Sequence, residues 1–123
     1  MFAGGRRRLR GLLHPEPSFD PAASPFEQAV FRFNESETGR TVARLIRILG
    51  TPSVSVGAAA GAPGVVRVTV AWELSWYQWG VDVGDEAPVV FEIAKGGELD
   101  QLDPAARQWN AGVAEDGKLR LRS

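Results

Sequence analysis

The feature that most limits how this chain can fold is an alternation running from Val66 to Trp76. Val66, Val68, Val70, Trp72, Leu74 and Trp76 occupy every second position, with Arg67, Thr69, Ala71, Glu73 and Ser75 between them. Successive side chains of a strand point to opposite faces, so this period places the large apolar groups together and predicts an antiparallel sheet with one buried face. Taken at face value, Val66–Trp76 is one uninterrupted strand, continuing past Tyr77 towards a bend at Gly80. A shorter strand, Ser53–Val56, precedes it across an Ala/Gly-rich connection over 57–64. A third opens at Pro88, where Val89, Phe91 and Ile93 alternate with Val90, Glu92 and Ala94 until Gly96-Gly97 ends the pattern.

Before residue 50 the period is helical. Ser24-Pro25-Phe26-Glu27 combines an N-cap, a proline at the first helical position and the glutamate of a capping box. Phe26, Ala29, Val30 and Phe33 then repeat at helical spacing. A second helix is expected from about Thr38 to Leu49, with Val42, Leu45, Ile46 and Leu49 on one side and Arg40, Arg44 and Arg47 on the other. Gly50 suits its C-terminal cap and Pro52 blocks continuation. Asp103-Pro104 signals a last helix whose inner face would be Ala105, Ala106, Trp109 and Val113. Leu119–Arg122 reads as a frayed tail or a short edge strand. The expected fold is therefore α+β: a three-stranded antiparallel meander with helices packed on one face, in the order α-α-β-β-β-α.

A chain of 123 residues points to one domain, and no internal repeat or second boundary interrupts it. Residues 1–24 are expected to be a flexible basic arm carrying Arg6, Arg7, Arg8 and Arg10, with prolines and glycines interrupting every regular element. The domain proper would span 25–116, and 117–123 would be a tail. No stretch is apolar enough for a membrane span, and the start lacks the apolar core of a secretory signal, so a cytoplasmic location is expected.

Composition removes several chemistries. The chain has no cysteine, which excludes disulfides, thiol nucleophiles and cysteine-ligated metals. His14 is the one histidine, so a histidine metal cluster cannot form within the chain. The glycines at 57, 61 and 64 match neither a dinucleotide fingerprint nor a phosphate loop. Asp82, Asp85 and Glu86 fit a solvated turn, and Glu98, Asp100 and Asp103 fit the start of the last helix, where negative charge is favoured. No motif calls for a cofactor or a metal.

Charge is uneven. Residues 1–70 carry nine basic and five acidic side chains, whereas 71–123 carry five basic and ten acidic, for a net charge of −1 overall. The Arg40/Arg44/Arg47 face and the basic arm permit contact with phosphates, but the acidic second half and the acidic lead-in to the last helix argue against nucleic-acid binding.

The run Trp72-Glu73-Leu74-Ser75-Trp76-Tyr77-Gln78-Trp79 is the most unusual segment. Under strict alternation Trp72 and Trp76 enter the core, and Tyr77 and Trp79 reach the opposite face. There they would form an amphipathic patch with Val90 and Glu92, of the kind enriched in binding hot spots. The function expected is a non-catalytic interaction or accessory module with a protein partner, most simply a second copy of itself. The alternative is a small-molecule or enzymatic pocket walled by the aromatics, with Asp82, Asp85 or Glu92 as its polar groups.

Overall fold

In the computed structural model, residues 24–84 and 89–122 are described. The expected basic arm, His14, Asp85, Glu86 and Pro88 lie outside them, apart from Ser24.

Helix α1 spans Pro25–Glu35 and starts as its sequence dictates. The Glu27 N–H donates to Ser24 Oγ at 3.1 Å, and the Ser24 N–H donates back to Glu27 Oε1 at 3.0 Å. Ser36 then closes α1 and opens α2, which spans Glu37–Leu49. Its hydroxyl donates to Phe33 O at 2.6 Å and accepts from Gly39 N at 3.0 Å, so one residue makes the corner. Ala29, Val30 and Phe33 of α1 and Val42 of α2 are buried. Leu45 and Ile46 are partly buried against the same core, whereas Leu49 and Ile48 are exposed. Gly50 caps α2 at φ +92°, its N–H bonded to Ile46 O.

The sheet corrects the expected three-stranded meander. Six strands lie in the order β4-β3-β2-β1-β5-β6. They are β1 (Ser53–Ala58), β2 (Val65–Trp72), β3 (Ser75–Asp82), β4 (Val89–Gly96), β5 (Ala111–Val113) and β6 (Leu119–Leu121). Each neighbouring pair is antiparallel. The alternating run is not one strand: it folds back at Glu73-Leu74, with Trp72 opposite Ser75. Leu74, assigned to the core by its period, is the tip of this hairpin and is 80% exposed. Among the described non-glycine residues only Trp109 has a positive φ, so the Glu73-Leu74 turn lacks the left-handed backbone that draws Gly or Asn into primed hairpin turns. Nothing in its composition marks it.

That turn reassigns the tryptophans. Directly paired residues share a face, and Val70 pairs with Tyr77, Val68 with Trp79 and Val66 with Val81. The valine face therefore continues through Tyr77, Trp79 and Val81 under the helices. Trp76 pairs with Ala71 and goes to the other side. Both faces are covered, because Trp76, Ala71, Leu102 and Ala106 form a second, smaller core beneath the segment after β4.

That segment is also not the expected long helix. It makes two short 3₁₀ turns, Leu99–Gln101 and Pro104–Arg107, and then joins the sheet as β5. Asp103 does cap the second turn, accepting from Ala106 N at 2.9 Å. The second turn ends at Arg107, and two residues on, Trp109 has a left-handed φ of +49°, which no helix continues through. The Asn110 side chain then binds β1: Val56 N–H donates to Oδ1, and Nδ2 donates to Val56 O, both at 2.8 Å.

Candidate interaction edge

The two outer strands of the sheet are finished differently. Strand β6 is three residues long, and its outward backbone groups at Leu119 are taken by Asn34 of α1. Leu119 N–H donates to Asn34 Oδ1 at 2.9 Å, and Asn34 Nδ2 donates to Leu119 O at 2.9 Å. Strand β4 is eight residues long, and among the described residues no strand pairs with its outer side. An outer strand presents alternate unpaired N–H and C=O groups, and its length sets how long a ladder it can offer.

The side chains along β4 reinforce the contrast. Val89, Phe91 and Ile93 are 46%, 41% and 42% exposed. Their face is set by the register with β3, which shifts between Gln78 and Trp79. Trp79 pairs with Glu92 and Gln78 with Ala94, leaving Ile93 as an extra residue. Such a bulge bends the strand and increases its twist. Phe91 lies across Gly80 of β3, where a Cβ would sit 2.4 Å from Phe91 Cζ. Gly80 is therefore not the bend its position suggested but the space into which a ring from the next strand settles. Next to Val90, a cleft of about 440 Å³ opens between β4 and the α1–α2 corner, lined by Phe31, Arg32, Glu35, Glu37 and Thr38 among others.

The residues singled out from the sequence occupy this region in a different arrangement. Tyr77, Trp79, Val90 and Glu92 do share one face, since Val90 pairs with Val81 and Glu92 with Trp79. That face lies under the helices. Trp79 is 9% exposed, with Phe33 on one side at 5.4 Å between ring centroids and Tyr77 stacked on it at 5.6 Å. Trp72 meets Tyr77 edge-on at 6.3 Å, so these rings fill space against one another. Tyr77 and Val90 are half-buried and Glu92 is exposed. Arg40, Arg44 and Arg47 are exposed on α2. Arg40 donates to Glu35 O and Arg44 to Thr41 Oγ1, while Arg47 borders a cleft with Glu115 and Asp116. Sequence reasoning missed Phe91 and Ile93 as surface residues, because the period placed them on an inner face. It missed Asn34 because an asparagine closing a helical pattern carries no sign of a strand partner.

The chemistry of the acidic residues is structural where it can be followed. Asp103 receives a bidentate ion pair from Arg67 of β2, with Nη1–Oδ2 at 3.2 Å and Nη2–Oδ1 at 3.3 Å. The Ala106 N–H, first, and the Arg67 guanidinium, second, hold the Asp103 carboxyl below its usual range. Asp82 Oδ1 accepts from Gly84 N at 2.9 Å, a local turn contact. Among the described residues, no cluster of three His, Cys, Asp or Glu could hold a metal ion. None of the described helices is long and apolar enough to cross a membrane.

No protein-family model, curated protein or solved structure matches this chain.

Proposed function

We propose that the chain is a non-catalytic protein-interaction module that accepts an added strand along the outer edge of β4, its partner being a second copy of itself. The observation that carries this reading is the asymmetry of the sheet: Asn34 occupies the β6 edge, while the longer β4 edge is lined by exposed Val89, Phe91 and Ile93. In strand addition, main-chain hydrogen bonds supply affinity and neighbouring pockets supply specificity. The cleft beside Val90 is placed to take one partner side chain. Phe91, an aromatic already anchored over Gly80, gives contact area with little loss of rotamer freedom.

The test is sedimentation velocity on the parent and Ile93→Lys across a wide concentration range, beside thermal melts of both. Lysine is a residue natural edges use against pairing. The expected result is a concentration-dependent dimer in the parent, lost in Ile93→Lys with the melt unchanged. A parent that stays monomeric throughout, or a dimer indifferent to the lysine, would overturn the proposal.

A further inference from the structure

At the opposite end of the sheet, the β1–β5 ladder consists of a single register pair, Val54 with Ala111. Both of its limits have a cause. On one side Asn110 binds the backbone of Val56. On the other the next residues of β1 lead back to Pro52, which has no N–H to offer a ladder. The strands therefore part between Thr51-Pro52 and Gly112-Val113, and a polar cleft of about 390 Å³ opens there.

Two arginines of the β6 segment border this opening, and among the described residues none of its lining is acidic. Gly112 pairs with Arg120 across β5–β6. Arg122 reaches over the same glycine, its Nε and Nη2 lying 3.5 and 3.6 Å from where a Gly112 Cβ would stand. The guanidinium thus lies at van der Waals range over the Gly112 position, on the side of β5 that borders the cleft. Its Nη1 donates to Trp109 O at 3.4 Å, which leaves its other N–H groups available. Arg120 has no ion-pair or side-chain hydrogen-bond partner among the described residues.

We infer that this cleft is an oxyanion site whose ligand is a phosphate group, held by Arg120 and Arg122. Paired guanidiniums present several N–H donors in fixed planes and match phosphate oxygens in a way that a single ammonium does not. One of them is already oriented by the Trp109 carbonyl, so less order has to be imposed on binding. The site lies across the sheet from β4 and is independent of strand addition there.

The experiment is an NMR titration of the full chain with inorganic phosphate at constant ionic strength, following the Gly112 amide and the arginine Nε–H signals. Acetate serves as the second titrant. Arg120→Gln is the decisive variant, because Arg120 is exposed on an outer strand, and Arg44→Gln on α2 is the charge-matched control. The expected result is a saturable shift centred on Gly112 at millimolar phosphate. It should weaken at least tenfold in Arg120→Gln and stay unchanged in Arg44→Gln. Shifts that rise without saturating, or that are equal in the two variants, would overturn the site. Acetate saturating as readily as phosphate would overturn the choice of ligand.

Discussion

Asn34 of α1 and Leu119 of β6 are bound as two residues of neighbouring strands would be, the Asn34 carboxamide accepting from the Leu119 N–H and donating to its carbonyl, both at 2.9 Å. A carboxamide carries the same donor and acceptor as a peptide unit, so a helix side chain completes a ladder that the sheet itself does not extend. Asn110 repeats the device at Val56, where β5 departs from β1. One end of the sheet is thus a short strand capped at Leu119 by a side chain, and the other is a full-length outer strand.

Asn34→Ala is expected to destabilise the fold by about 1–3 kcal/mol, the range for leaving part-buried polar groups without partners. The amide of Leu119 should exchange with solvent markedly faster in the variant. Urea melts give the first number and hydrogen exchange the second. An unchanged Leu119 exchange rate would show that the clamp does not hold the edge in solution.

The hairpin at Glu73-Leu74 separates the roles of two tryptophans. Trp79 sits in the main core between Phe33 and Tyr77, so Trp79→Ala should cost about 3–5 kcal/mol of global stability. Trp76 instead anchors the segment after β4, its Nε1 donating to Glu98 O at 2.8 Å and to Gln101 Oε1 at 3.3 Å. Trp76→Ala should therefore release that segment first. Limited proteolysis between residues 97 and 108 should speed up in Trp76→Ala at temperatures where Trp79→Ala, if still folded, is cut no faster there than elsewhere.

These two elements show where the sequence is legible. Helices α1 and α2 could be read because their signals are local: Ser24, Pro25 and Glu27 fix one start, and Gly50 with Pro52 fixes one end. The faces of β2 were also readable from their period. What failed was non-local or unmarked. A turn built from Glu73 and Leu74 has no composition to announce it, and missing it moved Trp76 and Trp79 to each other's sides. Strand β5, at three residues, is too short to show a period, whereas β6 is the short edge strand that Leu119–Arg122 offered as one of two readings. The same Glu73-Leu74 turn reverses which face of β4 is covered, while the bulge at Ile93 shifts only Ala94–Gly96 against the residues before it and exists only through pairing with β3. The candidate edge is legible in composition, as apolar residues near Trp79, but not in which of them face outward.

The Arg67–Asp103 pair makes a pH prediction with a definite sign. The Asp103 carboxyl is held below its ordinary value of 3.8, by the Ala106 N–H and then by Arg67. A carboxylate depressed on folding contributes stability that is fully present above the unfolded value. That contribution is lost as pH falls from there through the folded value. Asp103 is exposed, so solvent screens the pair and the effect is small. In urea melts, stability should decline less steeply below about pH 4 in Asp103→Asn than in the parent. From pH 5 to pH 8 the difference between the two should be constant. Parallel curves across the acid range would show that Asp103 titrates alike in the folded and unfolded chains.

Gly80 and Phe91 should behave as a coupled pair. A Cβ on Gly80 would stand 2.4 Å from Phe91 Cζ and 2.7 Å from Cε2, well inside contact distance. Gly80 is at a negative φ, so alanine there is penalised by the ring and not by the backbone. Gly80→Ala alone should cost about 1–3 kcal/mol through overpacking. Phe91→Ala alone should cost somewhat less than a fully buried phenylalanine, because the residue is 41% exposed. In the double variant the clash is gone, and the added methyl partly refills the space left by the ring. The double variant should thus be more stable than the sum of the two single losses allows, with a coupling of about 1 kcal/mol or more, within the range for residues in contact. Additivity within a few tenths of a kcal/mol would mean that Phe91 does not rest on Gly80. The anchored aromatic on the β4 edge would then be lost from the interaction surface.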